Sequence, residues 1–226
     1  MSIETFEKAS TILWESLAAD GYTGIMQYTP FSNQYWEEKC KIVLCNYENL
    51  GYEKIPATLI THDIFKGWIT YKKSKTAHFT AVFANTLKTM MDLKNISVND
   101  MKKSYYDTEK IWEAMKNMVY MNIRPTSGAN AGRQNKVETQ SIIKKYKIEI
   151  RNYIDSLDAD VLVVSSKDAV NLINYLYDLD KNKLTFNGKT RINNMFVYSV
   201  RHFGWFYTYS YYHKKANEIF YDIYHK

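Results

Sequence analysis

Asp160-Val161-Leu162-Val163-Val164-Ser165-Ser166-Lys167-Asp168-Ala169 is the stretch on which the reading of the fold turns. Its apolar run is uninterrupted, β-branched at Val161, Val163 and Val164, and bounded by polar residues. That is the pattern of a strand buried on both faces. Ser166 then opens a helix running to about Tyr177. Three further runs read the same way: Ile42-Val43-Leu44-Cys45 within a strand over 41–46, Met118-Val119-Tyr120-Met121-Asn122, and Met195-Phe196-Val197-Tyr198-Ser199-Val200.

Helical periodicity fills the spaces between them. Ile3, Phe6, Ala9, Ile12, Leu13 and Leu17 fall near one face of a helix over 3–19, which Asp20-Gly21 ends. Helices are also expected over 77–91, 107–117 and 210–224. A long one covers 137–157, with Ile142, Ile143, Tyr146, Ile150, Tyr153, Ile154 and Leu157 on one side. Glycines and prolines mark loops over 21–35, 47–61 and 126–135. Continuous apolar strands alternating with helices predict an α/β fold, a three-layer sandwich with a central, mainly parallel four-stranded sheet. The expected organisation is one domain over 1–226, with an N-terminal helix 3–19, a core 40–206 and a C-terminal helix 210–224. In such a sheet, ligands bind at the carboxyl ends of the strands, beside the point where strand order reverses.

Composition narrows the function. A chain of 226 residues, 46% apolar and 24% charged, suits one sizeable core. No apolar run approaches the roughly 20 residues that cross a bilayer. Met1-Ser2-Ile3-Glu4 does not begin a signal peptide, so a cytoplasmic protein without membrane contact is expected. The only cysteines, Cys40 and Cys45, cannot ligate an iron–sulfur cluster, and the five histidines lack zinc-ligand spacing. No metal and no cofactor are therefore expected. Neither GxGxxG nor a Walker motif is present, which counts against the usual dinucleotide and ATP sites. The net charge of +6 favours a polyanionic partner, and 20 tyrosines offer rings that stack on exposed bases. The same tyrosines and lysines also serve simply to fill a core and to solubilise.

Four segments follow the strand ends, and in order they resemble motifs of the uracil-DNA glycosylase superfamily. After the first strand comes Tyr47-Glu48-Asn49-Leu50-Gly51-Tyr52, similar to Gly-x-Asn/Asp/Ala-Pro-Gly/Tyr, with Tyr47 in place of the glycine and Leu50 in place of the proline. After the second comes Asn122-Ile123-Arg124-Pro125, like the stretch that carries a base-recognising Asn. After the third, Ser165 to Ala169 looks like Leu-Gly-x-x-Ala. The fourth is Val200-Arg201-His202-Phe203-Gly204-Trp205, which keeps the terminal motif's histidine and lacks its proline.

The resemblance spans residues 40–206 and implies a monofunctional DNA glycosylase. Breaking an N-glycosidic bond builds positive charge on the sugar and negative charge on the departing base. The resemblance gives Asn49, with Glu48, the water, and His202 a hydrogen bond to an oxygen of the leaving base. Asn122 would read the base edge, with Tyr47 and Tyr52 stacking on the flipped base. Phe203, Trp205 and Phe206 are candidate wedges, and Arg124, Arg133, Lys136, Lys167 and Arg201 candidate phosphate contacts. Each has a plainer alternative: a turn for Asn49, a packed ring for His202, a strand end for Asn122, core packing for the aromatics. The expected partner is DNA, either duplex with a flipped base or single-stranded, met by a monomer. The altered motifs point to a modified base, for example glucosylated hydroxymethylcytosine in phage DNA. Two rival classes stay open: a catalytically inactive fold of this superfamily that binds DNA or a modified nucleotide, and a small-molecule enzyme or nucleotide-binding module on a similar sheet.

Overall fold

The computed structural model describes residues 2–47, 58–60, 62–70, 74–126, 136–180, 183–204 and 208–225. The chain runs α1 (Ile3–Ala19), β1 (Met26–Tyr28), α2 (Gln34–Glu37), β2 (Ile42–Asn46), β3 (Thr58–Ile60), α3 (His62–Thr70) and α4 (Lys75–Met91). It continues through α5 (Val98–Ser104), α6 (Thr108–Lys116), β4 (Met118–Asn122), α7 (Lys136–Lys145), α8 (Lys147–Ser156) and β5 (Val161–Ser165). α9 (Lys167–Leu176), β6 (Lys189–Ile192), β7 (Met195–Val200) and α10 (Tyr209–Tyr224) follow.

The fold is α/β, with a five-stranded, mostly parallel sheet in the order β4-β2-β5-β7-β6. The four strands expected from their apolar runs form its parallel part, and every residue of β2, β4 and β5 is buried. The expected four-stranded sheet is corrected by β6, which pairs antiparallel with β7 at the edge. Lys189-Thr190-Arg191-Ile192 has almost no buried side chains, so no apolar pattern announces it; charge on an edge strand also discourages pairing with another chain. A separate parallel pair, β1 with β3, lies within stretches expected to be loop.

Helices flank this sheet in two groups. α1, α7, α8 and α9 pack among themselves, and so do α3, α4, α5, α6 and α10. With the sheet they are compatible with a three-layer sandwich. α1 shows how sequence sets such packing. Ser2 caps it by accepting from Thr5 N–H, and Asp20 ends it before Gly21, whose φ of +76° suits glycine. Phe6, Leu13 and Leu17 are buried along its α8-facing side, each contributing about 1.5–3 kcal/mol. The long helix expected over 137–157 is two, broken at Tyr146, where φ −107° and ψ 29° leave the helical region. No helix among the described residues is long and apolar enough to cross a membrane.

Candidate functional site

Because β4, β2, β5 and β7 run parallel and adjacent, Asn122, Asn46, Ser165 and Val200 end at one edge of the sheet. At about 4.8 Å per strand, that edge is on the order of 14 Å long, the scale of one nucleotide. Strand order reverses at β2: the chain passes from β2 to β4 on one side, then crosses to β5 on the other. The connections leaving β2 and β5 join different helix groups, and in open α/β sheets the ligand crevice lies at the carboxyl ends beside such a point.

His202 stands two residues past the end of β7. Its Nδ1 accepts a hydrogen bond from the Gly204 amide at 3.0 Å. The neutral ring therefore carries its proton on Nε2, which donates to no described residue. Burial pushes its pKa below the ordinary 6.5, because the charged ring loses hydration. At neutral pH it is an uncharged hydrogen-bond donor.

The C-terminal helix fixes that ring's backbone. Tyr212 Oη donates to the His202 carbonyl at 3.0 Å. Arg201 N–H donates to Tyr211 Oη at 3.0 Å, and that hydroxyl donates to Asn187 Oδ1 at 2.7 Å. Phe203 is buried between Phe83 and Tyr212, each with ring centroids 5.3 Å away. Gly204 lies against Thr76 in the first turn of α4, where an added Cβ would stand 2.5 Å from Thr76 Oγ1.

On the other side of the crevice, Asn122 Nδ2 donates to Tyr28 Oη at 2.5 Å. Tyr153 Oη holds the Tyr28 carbonyl at 2.6 Å, and burial pushes the Tyr28 phenol well above its ordinary value of 10.0. Among the described residues, Asn122 Oδ1 has no hydrogen-bond partner, nor does either amide atom of Asn46, nor Ser165 Oγ. All three residues are at most 2% exposed. Asn46 and Asn122 are register partners, so their side chains leave the same face of the sheet. Ser165 is level with them, since Val164 pairs with Cys45.

Ser166, just beyond, has φ 101° and ψ 154°, a region other residues leave to glycine at a cost of about 1–3 kcal/mol. The conformation lets its hydroxyl cap α9 by accepting from Ala169 N–H at 3.2 Å. Lys136 opens α7 and pairs with Asp168 in the first turn of α9 at 2.9 Å; that bond holds its pKa above the ordinary 10.5.

Several expected site residues take other places. Arg124 is not a phosphate contact: its guanidinium is fully buried, 2.8 Å from Glu138 and 3.0 Å from the hydroxyls of Thr126 and Thr139. Phe203 is core rather than wedge, because its ring is packed between Phe83 and Tyr212. Tyr47 is also buried, at 3% exposure, and belongs to the hydrophobic core rather than to an open stacking surface. Lys167 is exposed at the start of α9, and Arg201 is half-buried with its guanidinium 5.1 Å from the Tyr211 ring. Asn49, Glu48, Tyr52, Arg133, Trp205 and Phe206 lie outside the described residues.

Sequence reasoning missed Asn46, Ser165 and the two α10 tyrosines. The first two carried a signal, a polar residue closing an apolar run, but they read only as strand boundaries. Among the described residues no group of three or more His, Cys, Asp or Glu could hold a metal ion. Comparison of the chain with protein-family models, with curated proteins and with solved structures finds no match.

Proposed function

We propose that the chain is a monofunctional DNA glycosylase that hydrolyses the N-glycosidic bond of a base held at the carboxyl edge of the sheet, leaving an abasic site. The observation that carries this reading is His202: an uncharged imidazole at a strand end, with Nδ1 tied to Gly204 and Nε2–H donating to no described residue. When the bond to the sugar breaks, its electron pair leaves with the base, and negative charge spreads onto the base oxygens. A neutral N–H donor stabilises that anion without itself needing to titrate. Removing one such donor from a preorganised site costs about 10²–10³ in rate.

Two further features support the reading. Asn122 closes the strand two positions from β5 and keeps its carbonyl oxygen unpaired for a base edge. Ser166 occupies the glycine position of the Leu-Gly-x-x-Ala pattern and adopts a backbone that glycine favours. By the resemblance, Asn49 with Glu48 directs the attacking water. The departures from the usual motifs favour a modified base, such as glucosylated hydroxymethylcytosine in phage DNA, and a defence role.

A binding-only reading draws on the fates of Arg124 and Phe203. Both are committed internally, which removes one phosphate contact and one wedge from the set that flips a base out of a duplex.

One incubation series tests the proposal. The protein, His202→Ala and Asn49→Ala are mixed with plain, uracil-containing and phage-modified DNA, and released base and alkali-labile sites are measured. Release by the parent, reduced 10²-fold or more in His202→Ala, is the expected result. Intact DNA in every arm defeats the enzymatic reading, and strand protection without abasic sites favours binding alone.

A further inference from the structure

At the carboxyl ends of β2, β4 and β5, four buried polar atoms have no partner among the described residues, and they lie at one level on three adjacent strands. Asn46 and Asn122 are neighbours about 4.8 Å apart by strand spacing, yet their amides do not bond each other. Leaving such groups unmatched destabilises a fold, and folded proteins rarely retain several together. A ligand that matches them removes the penalty. We infer that Asn46 is a specificity-determining residue, and that with Asn122 and Ser165 it binds a base edge carrying an exocyclic amine beside an unprotonated ring nitrogen. This deepens the reading above and takes from it that the ligand is a nucleobase.

The inventory of unmatched atoms selects the edge. Asn122 spends its Nδ2 on Tyr28, so it offers only Oδ1, an acceptor. Asn46 offers a second acceptor, Oδ1, beside a donor, Nδ2, and Ser165 offers a hydroxyl. Two acceptors on neighbouring strands call for two N–H groups a short distance apart. An exocyclic amine supplies both from one nitrogen, and the adjacent ring nitrogen accepts from Asn46 Nδ2. Uracil and thymine in a nucleoside have a single ring N–H, which leaves one of the two oxygens unmatched. The amine-and-nitrogen edge is shared by cytosine and adenine, and 5-substituted cytosines keep it; guanine also fills both acceptors, through N1–H and its amine with O6 accepting from Asn46 Nδ2, so guanosine is the competing probe.

The test uses the full chain, Asn46→Leu and Ser165→Ala, with cytidine, adenosine, guanosine, uridine and thymidine as probes at millimolar concentration. Thermal denaturation is followed with and without each nucleoside. Asn46→Leu keeps the shape of the side chain and removes two unmatched groups. Its Tm is expected to rise by roughly 2–8 °C, and that of Ser165→Ala to hold or rise. Cytidine or adenosine is expected to stabilise the parent more than uridine or thymidine does, the two arms showing which base fits. Asn46→Leu should weaken that binding about ten- to a hundredfold.

A lower Tm in both variants overturns the inference, because it means that these atoms are matched within the fold. Preference for guanosine, uridine or thymidine, or no nucleoside response in the parent, overturns it as well. The excision assay separates the two claims. Asn46-dependent cytidine or adenosine binding by a chain that releases no base keeps this inference and ends the glycosylase reading. Excision that Asn46→Leu leaves unchanged in rate and base preference does the reverse.

Discussion

Gly204→Ala is the sharpest probe of the proposed chemistry, because it adds one methyl group beside the His202 ring and removes nothing. The glycine has no positive φ, so its backbone accepts alanine; what is lacking is space. The new Cβ would lie 2.5 Å from Thr76 Oγ1, 2.9 Å from His202 Cε1 and 3.1 Å from His202 Nδ1. Thr76 can turn its hydroxyl away. The imidazole is held by its own backbone, which Tyr212 clamps, and must move by about 0.6 Å to reach ordinary carbon–carbon contact near 3.5 Å. Overpacking of this kind costs about 1–3 kcal/mol, which lowers Tm by about 2–4 °C for each kcal/mol in a domain of this size. A displacement approaching 1 Å at a reacting group costs up to about 10²-fold in rate. Single-turnover base release is therefore expected to fall 10- to 100-fold at a temperature where the variant stays folded. The ¹⁵N shifts of the His202 ring should move, since the Gly204 N–H to Nδ1 bond is strained. Adding Thr76→Ala should recover stability but not rate, because the contact with the ring remains. A variant that releases base within twofold of the parent, with unmoved ring shifts, would refute control of the reaction by this ring.

Three other outcomes follow from the same geometry. Arg124→Met should destabilise the fold by about 2–4 kcal/mol in denaturant unfolding, because it removes the ion pair with Glu138 and the hydrogen bonds to Thr126 and Thr139. It should leave the salt dependence of DNA binding unchanged, whereas a true phosphate contact would alter the slope of log K against log salt by about 0.9. Tyr212→Phe should cost about 1 kcal/mol of stability and slow base release several-fold, by freeing the His202 carbonyl. The pH dependence of Tm has a definite sign. Because the folded pKa of His202 lies below 6.5, the unfolded chain takes up the proton first as pH falls. The contribution of His202 is complete above about pH 6.5 and is lost below it, so the parent should lose more stability between pH 7.5 and 5.5 than His202→Gln does.

The strands of the sheet's parallel part were legible because burial on both faces leaves a continuous apolar run, as Val161-Leu162-Val163-Val164 shows. α1 was legible from its periodicity and from Asp20-Gly21 at its end, and a helix over 77–91 matches most of α4. β6 was not, since an exposed edge strand needs no apolar side chains, and neither was the break at Tyr146, where helical spacing continues across two helices. His202 was legible as a candidate through its place after a strand. Its protonation state was not, because that depends on Gly204 N–H and on burial by neighbours distant in sequence. Arg124 and Phe203 misled, since a basic or aromatic residue beside a strand end reads the same whether it turns toward solvent or toward the core.

Local sequence by itself determined the four parallel strands and several of the helices around them, and hence that four strand ends would share one edge, because burial and backbone propensity act over a few residues. Tertiary structure alone decided which polar groups at that edge find partners. Arg124 is matched by Glu138 and Thr139, from a helix beyond the turn, while Asn46, Asn122 Oδ1 and Ser165 are left unmatched. A hydrogen bond needs two groups at about 3 Å, and chain segments far apart in sequence meet at that distance only when the whole domain has packed.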